Sequence, residues 1–223
     1  MTRATLPRLH LLPLKEYKGV TNDPIRFYFW PVFGRMYRQR VELCLAECVG
    51  GQRILEVGFG SGLTFVNLNN MYQEIHGLDL TADVNIVSSV FRTHGIRANL
   101  RQGNVTQMPY HNDYFDTVLL ISILEHLKPH DLESAFSEIW RVLKPGGEVV
   151  YGVPVERPLM VFMFRLLGYD IRKEHFATEE QVADAAKKRF GQGKILEMKS
   201  FLPQFGAVYE VGHFLKTSQT AKD

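Results

Sequence analysis

The chain has little cysteine, and what it has is poorly spaced for cross-linking. Cys44 and Cys48 are the two cysteines among 223 residues, four apart and therefore on one face of a predicted helix. That spacing reads as two buried thiols, with neither a disulfide nor the further ligands of a zinc site. Nothing demands an oxidising compartment, and a cytoplasmic location is expected. No apolar run reaches the roughly 20 residues of a membrane-spanning helix. Near the start, Leu6, Leu9, Leu11, Leu12 and Leu14 are interrupted by Pro7, Arg8 and Pro13, so no signal-peptide core is expected. The eight histidines are scattered along the chain, and no metal ligand set is expected. A dense basic stripe is missing too. The net charge is +2, which argues against a nucleic-acid partner. Repeats and low-complexity tracts are absent. What remains is 45% hydrophobic and 22% charged, close to globular averages and sufficient for the core of one α/β domain.

The most informative stretch present is Arg53 to Gly62, RILEVGFGSG. Ile54, Leu55 and Val57 read as a short buried strand, with Glu56 among them. Gly58, Gly60 and Gly62 then alternate with Phe59 and Ser61. A strand opening into such a loop lets backbone approach a ligand where a Cβ would collide. The spacing departs from the Gly-x-Gly-x-x-Gly dinucleotide fingerprint, whose third glycine would fall on Leu63 or Phe65. No Gly-Lys-Ser/Thr follows, which excludes a P-loop. Thr64 to Asn69 reads as the start of a helix that would place the loop amides at its positive end. Taken alone, the loop is also compatible with a glycine turn that binds nothing.

The rest of the pattern narrows this. Glu74 to Leu78 is a second predicted strand, and Asp79 stands at its carboxyl end, placed to accept both ribose hydroxyls of a nucleoside. Asn99 to Gln102 is a third strand, followed by Gly103, Asn104 and Val105. Tyr114 to Ile121 is a fourth, followed by Ser122-Ile-Leu-Glu-His126. Leu143 to Gly147 reads as a tight turn launching a fifth strand, Glu148 to Val153. Strands alternating with helix-length segments predict a mostly parallel sheet with its ligand at the carboxyl edge.

With these motifs in this order, residues 53–153 resemble the class I S-adenosylmethionine-dependent methyltransferases, and in particular the small-molecule branch that includes quinone and phospholipid-headgroup enzymes. ILEVGFGSG, GLDL, GNVTQMPY, FDTVLLISILEHL and LKPGGEVV carry the resemblance together. It implies a Rossmann-like, doubly wound, seven-stranded sheet, mostly parallel with its last strand antiparallel, under an N-terminal helical cap. It implies S-adenosylmethionine as cofactor. Gly58, Phe59, Gly60, Ser61 and Gly62 would wrap the methionine moiety, and Glu56 would steady their loop. Asp79 would hold the ribose, Leu80 and Val105 would sandwich the adenine, and Asn104 would meet its amino edge. Ile121 would line the pocket, and Tyr17 would close on the cofactor from the N-terminal side. Many relatives carry Asp where this chain has Asn104. An Asn oxygen still accepts from the adenine amino group.

The flanks are expected to hold the choice of acceptor. Residues 1–50 form a cap and leading helix, 51–153 the cofactor-binding core, and 154–223 a substrate-side insertion and terminal hairpin. The core carries seven basic and eleven acidic residues, whereas the N-terminal segment carries eight against four and the C-terminal segment eleven against nine. Basic flanks suit an anionic acceptor or membrane surface as well as ordinary solvated surface. Asp23 and Pro24 predict a helix start, with Ile25 to Trp30 a short turn and Gly34 to Cys48 a longer helix. Phe27, Tyr28, Phe29, Trp30, Phe33 and Tyr37 interleave there with Arg26, Arg35, Arg38 and Arg40. They are either a cap packed on the sheet or an aromatic lid with arginines facing a headgroup. Leu159 to Leu167 is either a core helix or the apolar wall of a substrate pocket. With the aromatic block it could form a mouth for peripheral membrane contact. Thr178 caps a predicted helix over 179–188, and Ile195 to Phe201 and Val208 to Leu215 complete the strands.

A sulfonium methyl is already electrophilic, so a base is needed only for a hydroxyl, a protonated amine or an acidic carbon. His175, on a substrate-side loop, and His126, after the fourth strand, are the leading catalytic candidates, with Glu125 and Glu156 as further candidates at the carboxyl edge. His126 is also compatible with a role in ordering its loop. The expected function is methyl transfer to a small, apolar or amphipathic acceptor such as a lipid headgroup, quinone or other metabolite. A non-catalytic cofactor-binding or scaffold domain is the alternative. No Asn/Asp-Pro-Pro-Tyr/Phe signature follows the fourth strand, which disfavours protein or RNA methylation.

Overall fold

The computed structural model describes residues 6–17, 19–20, 25–31, 33–155, 175–199 and 206–217. Its strands are β1 (Gly51–Val57), β2 (Tyr72–Asp79), β3 (Ala98–Gln102), β4 (Phe115–Ile121), β5 (Leu143–Pro154), β6 (Lys194–Lys199) and β7 (Ala207–Leu215). They form one sheet in the order β3-β2-β1-β4-β5-β7-β6. Neighbours among β1 to β5 run parallel, and β7 runs antiparallel to both β5 and β6. This is the doubly wound architecture expected from the sequence. The order reverses between β1 and β4, so their carboxyl ends open a crevice at the switch point, where such sheets bind ligands.

Buried strand residues alternate between the two faces. Ile54 and Leu119 join one buried cluster with Val41, Leu45, Phe65 and Phe91, whereas Leu55, Val118 and Leu120 join another with Leu132, Phe136, Ile139 and Val182. Helices α1 (Phe33–Glu47), α2 (Phe65–Leu68) and α3 (Val84–Thr93) supply the first cover. Helices α4 (Pro129–Val142) and α5 (Glu179–Phe190) supply the second. Each fully buried Leu or Ile contributes about 1.5–3 kcal/mol, so both covers are required. Cys44 and Cys48 are buried free thiols, as their spacing suggested. In α5, Thr178 and Gln181 form a capping box, and the acidic first turn and basic last turn match the helix dipole.

Two elements differ from expectation. The helix after the glycine loop is a single turn, Phe65–Leu68, because Phe65 is drawn into the cluster with Phe59 and Phe91 and β2 begins at Tyr72. One turn aligns too few peptides to act as a positive helix end. The Leu143–Gly147 turn is absorbed into β5 as an irregularity, since Leu143 pairs with Phe115 but Glu148 already pairs with Thr117. Gly146 at φ +78° makes that detour possible. The predicted Asp23–Pro24 cap, Glu156 and the Leu159–Leu167 run lie outside the described residues.

Candidate cofactor cradle and acceptor pocket

The glycine loop leaves the end of β1 with Gly58, Gly60 and Gly62 all in the left-handed region, at φ +71°, +48° and +71°. Side-chain-bearing residues rarely adopt this conformation. Gly58 N–H donates to Leu78 O at 2.7 Å and Gly62 N–H to Phe59 O at 2.7 Å, so the loop folds back over the end of β2. Glu56, 4% exposed, accepts a hydrogen bond from the Thr64 hydroxyl and so ties the two sides of the loop together. Ser61 and Phe59 are buried. Phe59 packs on Phe65, and a Cβ on Gly77 would lie 2.6 Å from its ring. The loop therefore presents its backbone, not these side chains, to the crevice.

Asp79 sits where β2 ends, and its carboxylate organises the loop. Oδ2 accepts the Gly60 amide at 2.9 Å, and Oδ1 accepts the amides of Thr81 and Ala82 at 2.9 and 2.8 Å. A carboxylate offers about four acceptor sites, and three of them are taken by these amides. Leu80, 63% exposed, and exposed Asn104 form the rim. The Asn104 side-chain oxygen accepts the Thr106 amide at 3.0 Å, while Val105 is buried in the same cluster as Leu78 and Met108. Tyr17 is 3% exposed, edge-on to Phe91, and its hydroxyl accepts the Leu12 amide at 3.2 Å. Burial pushes its pKa up to about 12. Phe91 in turn lies against Gly62 of the loop.

On the other side of the crevice, β4 ends at half-buried Ile121. Ser122 follows at φ +56°, a strained conformation for a non-glycine residue, and its hydroxyl lies 3.0 Å from Tyr209 Oη. Burial pushes the Tyr209 phenol well above its usual pKa, so it stays protonated, and either hydroxyl of the pair can donate. Ile123 faces the glycine loop. A Cβ on Gly58 would lie 2.0 Å from its Cδ1, so the two halves of the site are in contact. A 3-10 turn, Leu124–His126, comes next. The Glu125 carbonyl accepts the amides of Phe176 and Ala177 at 2.8 and 3.2 Å. That clasp brings His175 beside His126, their ring centroids 5.1 Å apart. The two catalytic candidates are thus neighbours across 49 residues of sequence. Ser122 and Tyr209 were missed by sequence reasoning, since nothing local pairs residues so far apart. In the cap, Arg40 stacks over Tyr37 at 4.3 Å and lies near Tyr28 and Tyr209, and Arg38 Nε donates to Tyr28 O at 2.8 Å. Arg38 and Arg40 therefore serve the packed cap, whereas Arg26, Arg35 and Trp30 remain exposed.

Comparison with known proteins agrees with this geometry. Residues 55–151 match the family described as "Methyltransferase domain". The ubiquinone/menaquinone biosynthesis C-methyltransferase of Vibrio parahaemolyticus is 31% identical over 126 residues, 51% of this chain and 48% of the relative. The ubiquinone biosynthesis O-methyltransferase of Alkalilimnicola ehrlichii is 30% identical over 132 residues, 56% of this chain and 51% of the relative. The chain thus matches about half the length of these relatives. Among solved structures, geranyl diphosphate methyltransferase in complex with S-adenosylmethionine superposes with a TM-score of 0.68 at 14% identity, covering 90% of this chain and 95% of that one.

Proposed function

We propose that this chain, whose residues 55–151 match the methyltransferase-domain family, uses S-adenosylmethionine to transfer a methyl group to a small apolar or amphipathic acceptor. The observation that carries the reading is the glycine loop of three left-handed residues clasped by Asp79, with two adjacent imidazoles, His126 in the turn after β4 and His175 beside it. The bound cofactor supplies an electrophilic sulfonium methyl. The loop backbone from Gly58 to Gly62 holds the methionine portion, the remaining Oδ2 site of Asp79 accepts a ribose hydroxyl, and Leu80, Asn104 and Val105 border the adenine. Ile121 and Ile123 exclude water beside the loop. His175, assisted by His126, accepts the acceptor's proton at an imidazole nitrogen when that acceptor is a hydroxyl or acidic carbon. Alignment and water exclusion do the remaining work.

The acceptor class rests on two supports: the quinone-biosynthesis relatives, and a cap surface carrying exposed Trp30 with Arg26 and Arg35. The same surface suits peripheral contact with an anionic membrane, each such arginine adding about 1 kcal/mol. Among the described residues no helix is long and apolar enough to cross a membrane. Calorimetry with S-adenosylmethionine tests the first step, and absence of binding at about millimolar cofactor sinks the reading. Labelled methyl followed into lipid, quinone and metabolite extracts then separates an enzyme from a binding domain, which would label nothing. Equal sedimentation with anionic and neutral vesicles at low salt rules out the membrane surface.

A further inference from the structure

The sequence showed no metal ligand set, yet the fold assembles one. Ligand atoms of Glu125, His126 and His175 all lie within 4.8 Å of one another. We propose that these three residues bind a divalent cation of the zinc class at the acceptor side of the crevice. The proposal rests on the methyltransferase reading only for the cation's role, not for its binding. Two imidazoles and one carboxylate are a borderline-soft set, suited to zinc and its transition-metal neighbours rather than to magnesium or calcium. Three protein ligands are also the number that leaves a position open for water or substrate. Around a cation with bonds of about 2.0–2.2 Å, tetrahedral ligands stand roughly 3.3–3.6 Å apart, so the cluster needs to contract by about an ångström. Side-chain rotation can supply that, because His126 is exposed and His175 half-buried. The backbone is already fixed. The Phe176 and Ala177 amides donate to the Glu125 carbonyl, so the element carrying one ligand is bonded directly to the element carrying the other two.

Position gives the cation a use. The Leu124–His126 turn follows β4, and Ile123 just before it lies against Gly58 of the cofactor cradle. A cation held there would present its open position beside the loop. With the cation bound, both imidazoles are its ligands and no longer serve as base. An acceptor hydroxyl or phenol would instead coordinate through oxygen, and its lowered pKa would release the proton to solvent. The acceptor class this favours carries an oxygen at or next to the methylated atom.

The test uses the full chain stripped with chelator and returned to metal-free buffer. Zinc is titrated by calorimetry, and cobalt(II) by its visible d–d absorbance, a readout independent of turnover. Wild type is expected to take up a single equivalent of either ion. His175→Ala and Glu125→Gln should each weaken uptake at least about tenfold, no less than loss of an outer-shell partner costs. His111→Ala, changing an exposed histidine outside this cluster, should leave uptake unaltered. S-adenosylmethionine is titrated into the same samples. Cofactor binding without metal uptake overturns the metal site alone. Metal uptake without cofactor binding overturns the methyltransferase reading alone. Wild-type uptake that His175→Ala leaves unchanged also overturns the site, by assigning the metal to other residues. A thermal melt of each variant separates a lost ligand from a lost fold.

Discussion

At the scale of single residues, the cradle depends on atoms that are missing as much as on those present. Gly58 combines φ +71° with an approach to Ile123 that leaves no room for a methyl group. Gly58→Ala should therefore destabilise the protein by more than the roughly 0.4–1 kcal/mol attached to backbone entropy alone, and should weaken cofactor binding. Ile123→Ala removes the collision but not the backbone strain. The double variant should recover part of the loss, and a double-mutant cycle by thermal or denaturant melting measures that part. Strict additivity would show that the contact is unimportant. Asp79 is different, because its carboxylate accepts three loop amides before any ligand arrives. Asp79→Ala should weaken S-adenosylmethionine binding by about 1–3 kcal/mol and lower the melting temperature as well. Asp79→Asn keeps one acceptor oxygen and should lose less of both. Calorimetry showing unchanged affinity in Asp79→Ala would remove this residue from the site.

At the scale of elements, β7 is held to its neighbours by His213. Its Nε2 lies 2.9 Å from the Glu148 carboxylate on β5, and its Nδ1 lies 3.2 Å from Glu47 at the end of α1. Glu47 in turn meets Lys194 of β6 at 2.7 Å. Glu148, chiefly, and then Glu47 raise the His213 pKa above its ordinary value, against the opposing effect of burial. A raised histidine pKa stabilises the fold fully below the unfolded value near 6.5, and that stabilisation is lost as pH rises through the folded value. His213→Gln should cost about 1–3 kcal/mol at pH 6 and visibly less at pH 9, measured by urea melts at both. Such a clasp was illegible beforehand, since its members lie on four elements far apart in sequence. Strands β1 to β5 were legible because buried apolar runs, punctuating glycines and the motifs after each strand report the same boundaries. The one-turn length of α2 was not, because Phe65 is drawn in by Phe91 from a later helix. The two candidate bases, His126 and His175, were legible only as separate residues. Their meeting depends on two backbone hydrogen bonds to Glu125 that no local pattern announces.

At the scale of the whole molecule, the pH dependence of stability follows from which groups are shifted and in which direction. Glu74 and Glu138 are held below the usual carboxylate range by hydrogen bonds from Arg53 and Arg141. Burial pushes Asp116 upward, but Lys144 and the amides of Arg53 and Gln52 outweigh it and its pKa falls. These three stabilise the fold above about pH 4.5, and their contribution disappears as pH falls through the lowered values. Glu210 runs the other way. Burial first, then Glu179 and Glu197, raise its pKa to about 7, with Lys187 opposing. Glu197 stands directly across from it on β6, and like charges so paired repel. Between about pH 4.5 and 7 the folded state keeps a proton on Glu210 that the unfolded chain has released, so stability falls as pH rises through that window. His213 adds to the decline at its upper end. The melting temperature should therefore peak near pH 5 and decrease toward pH 8. Glu210→Gln removes the ionisation and keeps the shape. At pH 8 it should melt about 2–4 °C above the parent, equivalent to about 1 kcal/mol after allowance for partial exposure. At pH 5, where little of that cost has accrued, the gain should shrink to a small fraction of its value at pH 8. Scanning calorimetry at both pH values checks this. A Glu210→Gln protein that gains nothing at pH 8 would mean that the carboxylate ionises there at no cost to the fold.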